Sequence, residues 1–183
     1  MITENEWNTR FLAGELLAAP PLHVVQKAFG FMEQSPVSPV RLLDLACGPG
    51  RHAALGASLG WQVTAVDNST VALDQLRREH PEVTTVEADL EQSFPIAPAS
   101  WDVICCALYH QPSLWPGIRA GLRPGGIFVG VVKLQGRFAA RPGELRAAFA
   151  DWEILHATED VLAELIVRRP VSSFLAAPPD ATL

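Results

Sequence analysis

The chain has 183 residues, of which 49% are hydrophobic and 19% charged, a balance typical of one folded domain with a substantial core. Its formal net charge of −6 disfavours nucleic acid as a partner, because nucleic-acid binders present a basic face to phosphate. The polar, acidic start is unlike a signal peptide, and the apolar runs are far shorter than the roughly 20 residues of a membrane helix. We therefore expect a cytoplasmic domain without membrane contact.

The first forty residues predict two helices ahead of any strand. The segment Glu4–Ala19 carries apolar residues at helical intervals, and Pro20 and Pro21 then break it. The second helix presents one apolar stripe, formed by Leu22, Val25, Phe29 and Met32. Ser35–Pro39 connects this helical cap to the rest of the chain.

Beyond the connector, apolar runs alternate with helical stretches. The predicted strands are Val40–Ala46, Trp61–Val66, Val83–Ala88, Trp101–Leu108, Ile127–Lys133, Trp152–Ala157 and Leu162–Arg168. The predicted helices between them are Arg51–Leu59, a segment from Asn68 or Ser69 to Pro81, Ser113–Leu122 and Gly143–Ala150. Alternation of this kind predicts βαβ units and a doubly wound, mostly parallel α/β sheet.

The last two predicted strands are joined by only a few residues. A parallel crossover needs a dozen residues or more, so this pair is expected to form an antiparallel hairpin. We divide the single domain into a helical cap (1–39), a Rossmann-like core of seven strands (40–170) and a loose tail (171–183).

Three cysteines, Cys47, Cys105 and Cys106, lie in apolar, strand-like runs without metal-ligand spacing. Neighbouring residues of a strand point to opposite faces, so Cys105 and Cys106 are poorly placed to pair. We expect buried, reduced thiols and no metal site.

The segment Arg41–Gly50, RLLDLACGPG, reads as a strand that feeds a glycine turn and then a helix. Gly48 and Gly50 allow backbone amides at the helix start to approach an electronegative group closely. A dehydrogenase fingerprint would carry a third glycine where Ala53 stands, although some nicotinamide and flavin enzymes tolerate that change. The turn predicts a nucleotide cofactor without choosing its family.

Three acidic residues narrow the choice of cofactor family for this turn. Asp44 lies under the turn, where it can bind a cationic ligand group or merely satisfy buried turn amides. Asp67 ends the second strand about 20 residues after the turn, where it can accept ribose hydroxyls or cap the next helix. Asp89 ends the third strand, where it can accept the exocyclic amine of an adenine or serve as a turn residue.

The stretches LLDLACGPGRH, VTAVD, VEADL, WDVICCALYH and LRPGGIFVGV, in this order and spacing, resemble class I S-adenosylmethionine-dependent methyltransferases. The resemblance covers roughly Val40–Pro170 and includes the terminal hairpin. A weaker similarity, through WNTRF and DWEILHATED, is to small bacterial methyltransferases of the tellurite-resistance-related type. The resemblance implies S-adenosylmethionine as cofactor and S-adenosylhomocysteine as product.

The resemblance also implies which residues bind that cofactor. The methionine portion would meet Asp44 and the Ala46–Gly50 turn, while the end of the fourth strand would offer backbone near the sulfonium. Asp67 with Asn68 would take the ribose and the adenine flank, and Asp89 with the Leu90 amide would contact adenine. The full set is Asp44, Ala46, Cys47, Gly48, Gly50, Asp67, Asn68, Asp89, Leu90, Cys106 and Ala107.

Methyl transfer from a sulfonium is an in-line displacement, so alignment is the main task of such an enzyme. Two residues after the fourth strand, Tyr109 and His110, are the candidate catalytic groups. His110 can act as a base near neutral pH or simply line its loop. Tyr109 can shape the methyl pocket or pack at the sheet edge. Trp7, Arg10 and Phe11 can close over the cofactor or pack as an ordinary helix.

The acceptor is expected to be a small molecule. ALYHQP stands where amino-methylating DNA enzymes carry an Asn/Asp-Pro-Pro-aromatic sequence, and the Leu134–Pro142 loop is too short for a substrate domain. Two other functions stay open: a non-catalytic scaffold that binds S-adenosylmethionine or S-adenosylhomocysteine, and an NAD(P)-binding oxidoreductase. We expect a monomer or homodimer.

Overall fold

The computed structural model of the chain describes residues 4–14, 19–34, 37–92, 94–136 and 139–171. Its strands are β1 (Arg41–Leu45), β2 (Gln62–Asp67), β3 (Thr84–Glu87), β4 (Trp101–Ala107), β5 (Leu122–Lys133), β6 (Glu153–Glu159) and β7 (Leu162–Arg168). Its helices are α1 (Glu4–Leu12), α2 (His23–Glu33), α3 (Arg51–Ser58), α4 (Thr70–Glu79), α5 (Trp115–Gly121) and α6 (Glu144–Ala147).

The strands form one seven-stranded sheet in the order β3-β2-β1-β4-β5-β7-β6. The pairs among β1 to β5 are parallel, whereas β7 pairs antiparallel with both β5 and β6. The predicted doubly wound sheet and its terminal hairpin are therefore confirmed. Because β2 and β4 flank β1 on opposite sides, the carboxyl end of β1 is a topological switch point, where such sheets bind ligands.

Two apolar layers cover the sheet. One layer packs α2, α3 and α4 against side chains such as Leu42 and Cys105, and the other packs α5 and α6 against Leu43 and Cys106. The alternation follows from the period of two residues along a strand. Cys47, Cys105 and Cys106 are buried and free, as predicted.

Strand β5 begins at Leu122, earlier than the predicted start at Ile127. Trp101 pairs with Leu122 and Val103 with Ile127, so the RPGG stretch is accommodated as an irregularity within the strand. The buried carboxylate of Asp102 fixes this place, since it accepts hydrogen bonds from the Arg123 guanidinium (3.1 Å) and the Arg41 amide (2.9 Å).

The helix bounds differ from the sequence prediction at several ends. Helix α1 ends at Leu12 rather than at Ala19, and residues 15–18 lie outside the described part of the chain. A 3₁₀ turn, Pro112–Leu114, precedes α5, and α6 spans four residues instead of the predicted eight. The predicted loose tail lies outside the described residues from 172 onward. No described helix is long and apolar enough to span a membrane.

Candidate functional site

A cavity opens at the carboxyl ends of β1, β2 and β4, under helix α1. It is lined by Trp7, Phe11, Ala46, Cys47, Gly48, Pro49, Arg51, His52, Asp67, Asn68, Ala88, Asp89, Leu90, Glu91, Ala107, Leu108 and Tyr109. The structure thus brings together most of the residues predicted for the cofactor and one of the two predicted catalytic residues. Four predicted residues, Asp44, Gly50, Cys106 and His110, are not part of this lining.

The glycine turn is built from left-handed backbone. Gly48 and Gly50 have φ of +55° and +86°, conformations that glycine adopts without steric cost. A Cβ on Gly50 would lie 2.4 Å from Leu76 Cδ1, so Gly50 shapes the turn by fitting against α4 rather than by facing the cavity.

Two non-glycine residues of the cavity lining are also left-handed. Ala46 follows β1 with φ of +55°, and Leu108 follows β4 with φ of +61°. Backbone of this kind is strained in residues with a Cβ and concentrates at functional sites. Both residues stand where a strand ends at the cavity, which supports the assignment of this edge as the binding site.

Asp67 holds the turn together. The Gly48 amide donates to its Oδ2 (2.8 Å), and the Ser69 amide donates to its Oδ1 (2.9 Å). Burial raises the pKa of this carboxyl, while the backbone hydrogen bonds oppose that rise. Helix α4 is capped by Ser69, whose hydroxyl accepts from the Ala72 amide (3.2 Å). Each Asp67 oxygen keeps a further lone pair for a ligand.

Asp89 organises the neighbouring turn in the same manner. Its Oδ1 accepts from the Glu91 amide (2.9 Å) and its Oδ2 from the Gln92 side-chain amide (3.0 Å). Asp89 therefore acts as the turn residue that was one of its two predicted roles. It also lines the cavity together with Leu90.

Asp44 lies beneath the turn and is only 1% exposed. Its Oδ2 has no hydrogen-bond partner among the described residues. Burial raises the pKa of this carboxyl to about 7, and a hydrogen bond from the Cys105 thiol opposes part of that rise. A ligand atom of Asp44, one of His52 and one of Cys105 lie within 4.8 Å of one another.

Arg51 and His52 were missed by the sequence analysis, although they directly follow the glycine turn. The Leu22 amide donates to His52 Nε2 (3.3 Å), and Arg51 Nη1 donates to the Pro20 carbonyl (3.3 Å). Burial lowers the pKa of His52 to about 3, so this imidazole is neutral and keeps Nε2 as an acceptor. The pair ties the start of α2 to the start of α3. Ala88, Glu91 and Leu108 were missed as well, and no spacing signal marks them, whereas Pro49 belongs to the predicted Ala46–Gly50 turn.

Helix α1 lies over the glycine turn. A Cβ on Gly48 would lie 3.4 Å from the Phe11 ring, and the Arg10 guanidinium stands 4.7 Å from the centroid of Trp7. The Ser69 hydroxyl donates to Asn8 Oδ1 (2.6 Å), while Asn8 Nδ2 donates to the Thr70 hydroxyl (3.2 Å). The helix is thereby anchored to the first turn of α4.

The two predicted catalytic residues point to different surroundings. Tyr109 lines the cavity, and burial raises the pKa of its phenol well above the usual range, with Glu91 adding to the rise. His110 Nε2 instead lies 3.7 Å from Glu144 Oε2, and its ring centroid is 6.0 Å from that of Trp115. The Cys106 thiol faces the Tyr109 carbonyl at 3.7 Å.

Comparison with known proteins gives matches that include methyltransferases. Residues 42–126 match the family described as methyltransferase domain. Hemagglutinin 1 of Eikenella corrodens is 29% identical over 143 residues, covering 68% of this chain and 48% of that protein. The malonyl-[acyl-carrier protein] O-methyltransferase of Enterobacter lignolyticus (strain SCF1) is 36% identical over 92 residues, covering 48% of this chain and 36% of that protein.

Among solved structures, TehB from Haemophilus influenzae matches with a TM-score of 0.68 and 18% identity, covering 91% of this chain and 66% of TehB. At that identity the likeness shows a shared fold alone. The chain spans only 48% and 36% of the lengths of the two curated relatives.

Proposed function

We propose that this chain, which contains a class I S-adenosylmethionine-dependent methyltransferase domain, transfers a methyl group to a small-molecule acceptor. The observation that carries the proposal is the cavity at the topological switch point, where Asp67 and Asp89 flank a left-handed glycine turn. S-adenosylmethionine, the cofactor of this family, supplies an activated methyl group on a sulfonium.

The residues of the cavity fit this cofactor. Gly48 brings left-handed backbone to the cavity wall, and α3 begins directly after Gly50, so its first amides lie at the turn. Carboxylates suit a ligand with ribose hydroxyls, an exocyclic amine and a positive sulfonium. The Asp44 oxygen without a partner lies just beneath, where it favours a cationic group above it.

Within this proposal, Asp67 with Asn68 binds the ribose, and Asp89 with the Leu90 amide binds adenine. The turn Ala46–Gly50 and the Ala107 backbone take the methionine portion. Asp44 and Cys106 act from below the lining, and Gly50 acts through the shape of the turn.

The chain contributes to the transfer mainly by alignment and by excluding water. Trp7 and Phe11 shield the cavity from solvent on the side of α1. The protonated phenol of Tyr109 serves as a hydrogen-bond donor, since its raised pKa makes it a poor base. His110 stays a predicted base, in contact with Glu144.

The small-molecule acceptor and the in-line geometry belong to the proposal. The net charge of −6 supports a small acceptor, because it disfavours nucleic acid as the substrate. We retain the division into a cap (1–39), a core (40–170) and a tail (171–183), a monomer or homodimer, and a cytoplasmic location.

Replacement of Asp67 tests the assignment of the cofactor site. We expect Asp67→Ala to weaken S-adenosylmethionine binding by about 10-fold or more in calorimetry, because charge-assisted hydrogen bonds are lost. Asp74→Ala, on the exposed side of α4, is the matched control and should leave the dissociation constant unchanged. Because Asp67 also holds the Gly48 amide, urea unfolding of both variants separates lost binding from lost folding.

Unchanged affinity in a folded Asp67→Ala variant contradicts the ribose assignment. Stabilisation of the chain by NADH, with none from S-adenosylhomocysteine, would instead favour the oxidoreductase. Tight cofactor binding without methyl transfer to a broad metabolite panel would favour the non-catalytic scaffold.

A further inference from the structure

Glu91 is a carboxylate of the cavity lining that neither the turn nor the sheet uses. Its backbone amide donates to Asp89, but its side chain makes no hydrogen bond or ion pair within the described residues. Asp67 and Asp89 differ in this respect, because both oxygens of each are engaged. Glu91 is therefore the lining carboxylate whose acceptor capacity is wholly free for a ligand.

Tyr109 lines the same cavity as this carboxylate. Its hydroxyl has no partner in the part of the chain that the structure describes, and Glu91 is the carboxylate that acts most strongly on it. The left-handed backbone of Leu108 fixes the chain just before Tyr109. Two polar groups that lack partners among the described residues therefore line the same cavity, one a carboxylate and the other a neutral phenol.

The charge of the lining favours particular ligands. Three carboxylates, Asp67, Asp89 and Glu91, face one guanidinium, that of Arg51, which donates to the Pro20 carbonyl. His52 is neutral and does not offset them. An anionic acceptor would meet a repulsive field here, whereas an amine or a hydroxyl group would find an acceptor for its hydrogen.

We propose that Glu91 recognises the methyl acceptor, and that this acceptor presents an amine or hydroxyl hydrogen to it rather than a carboxylate. Tyr109 is the neutral donor beside the same group. The inference rests on the proposed function, because it assigns the second ligand of the same cavity. It deepens that function by naming the chemical class of the acceptor.

Three probes of one shape test the proposal: benzylamine, benzyl alcohol and benzoate. Each is titrated by calorimetry into protein with and without saturating S-adenosylhomocysteine. We expect benzylamine to bind about 10-fold more tightly than benzoate, with benzyl alcohol between them, because each probe changes only the group that meets Glu91.

Two variants test whether the preference for benzylamine depends on the Glu91 carboxylate. Glu91→Gln keeps the shape of the side chain and should weaken benzylamine binding by about 10-fold while leaving S-adenosylhomocysteine affinity within about 2-fold. Glu87→Gln, on the exposed side of β3, is the matched control and should change neither value. Initial rates with amine acceptors should likewise fall in Glu91→Gln and stay unchanged in Glu87→Gln.

Benzoate binding as tight as benzylamine binding overturns the proposal. An absence of benzylamine binding, or a benzylamine affinity that Glu91→Gln leaves unchanged, overturns it as well. These outcomes are separate from failure of the proposed function, which is a lack of cofactor binding or of methyl transfer to acceptors of every class.

Discussion

At the residue scale, the cavity depends on positions where a side chain is missing or a backbone is strained. Gly50 fits against Leu76 of α4, Gly48 lies under the Phe11 ring, and Ala46 and Leu108 end their strands in left-handed conformations. Each of these features sets the backbone path of a loop at the edge of the cavity. Substitution at such positions should therefore change both stability and binding.

Replacement of Gly50 by alanine separates steric fit from backbone strain. The new Cβ would lie 2.4 Å from Leu76 Cδ1 in a residue with φ of +86°. We expect Gly50→Ala to lower the free energy of unfolding by about 1–3 kcal/mol beyond the cost of left-handed backbone, because the packed site must move. Urea unfolding measures the loss, and calorimetry measures the accompanying loss of cofactor affinity.

Gly60→Ala is the matched control for that prediction. Gly60 also has positive φ (+76°), but nothing lies within 4 Å of the place where its Cβ would stand. The free energy of unfolding of Gly60→Ala should fall by only about 1–2 kcal/mol, from strained backbone, and its cofactor affinity should stay unchanged. Equal losses in the two variants would show that the contact with Leu76 does not matter.

At the scale of elements, the cavity is closed by a helix that contributes nothing to the sheet. Helix α1 reaches the site through Trp7 and Phe11 and is anchored by Asn8 to the first turn of α4. On the other side, His52 and Arg51 tie residues 20–22 to α3. The helical cap therefore bridges the starts of the two helices that flank the cofactor turn.

Removal of the Asn8 side chain should loosen this cap. We expect Asn8→Ala to weaken cofactor binding about 3- to 10-fold, mostly through faster dissociation, because the hydrogen bonds of its side chain with Ser69, Thr70 and Val71, each of roughly 0.5–1.5 kcal/mol, are lost. The free energy of unfolding should fall by no more than these bonds contribute, since the sheet and its core are untouched.

Stopped-flow dissociation of S-adenosylhomocysteine, followed by tryptophan fluorescence, measures this effect. Leu12→Ala is the control, because Leu12 belongs to the same helix but is 75% exposed. A dissociation rate that responds equally to both variants would mean that the Asn8 anchor has no special part in closing the cavity.

At the scale of the whole molecule, buried ionisable groups in and beneath the cavity lining make stability depend on pH in opposite directions. The pKa of Asp44 is about 7 in the folded chain against an ordinary 3.8, so between pH 4 and 7 the folded state binds more protons than the unfolded state. The pKa of His52 is about 3 against 6.5, so between pH 3 and 6.5 the unfolded state binds more. Asp67, whose pKa is also raised, acts in the direction of Asp44.

Substitution of either residue should remove, and so reveal, that residue's own contribution. As pH rises from 4 to 6.5, the Asp44 contribution to the free energy of unfolding falls and the His52 contribution rises. Relative to the unsubstituted chain, Asp44→Asn should therefore gain stability as pH rises toward 7 and level off above it. His52→Gln should lose relative stability as pH rises over 4 to 6.5.

Urea unfolding at pH 4.5, 5.5, 6.5 and 8 tests both directions, because the difference from the unsubstituted chain removes groups that titrate identically. A difference between Asp44→Asn and the unsubstituted chain that stays constant over this range would contradict a raised pKa at Asp44.

Much of the fold could be predicted because its signals are local. The period of two in runs such as Val103–Cys106 places alternate residues in the two apolar layers, and the short link before Leu162 excludes a parallel connection. Asp67 and Asp89 follow or end strands, and they could be placed at one edge of the sheet because the carboxyl ends of parallel strands share that edge. The cofactor was implied by the resemblance to class I methyltransferases, which the order of these motifs carries.

The sequence by itself therefore determined the order of strands and helices, the terminal hairpin and the edge of the sheet that forms the site. Only the tertiary structure decided that α1 covers Gly48, that His52 binds the start of α2, that His110 lies near Glu144 and that Glu91 lines the cavity with no side-chain partner in the described part of the chain. The physical reason is that strand period and link length act between near neighbours, whereas helix docking and loop side-chain direction are set by packing between residues far apart in the chain.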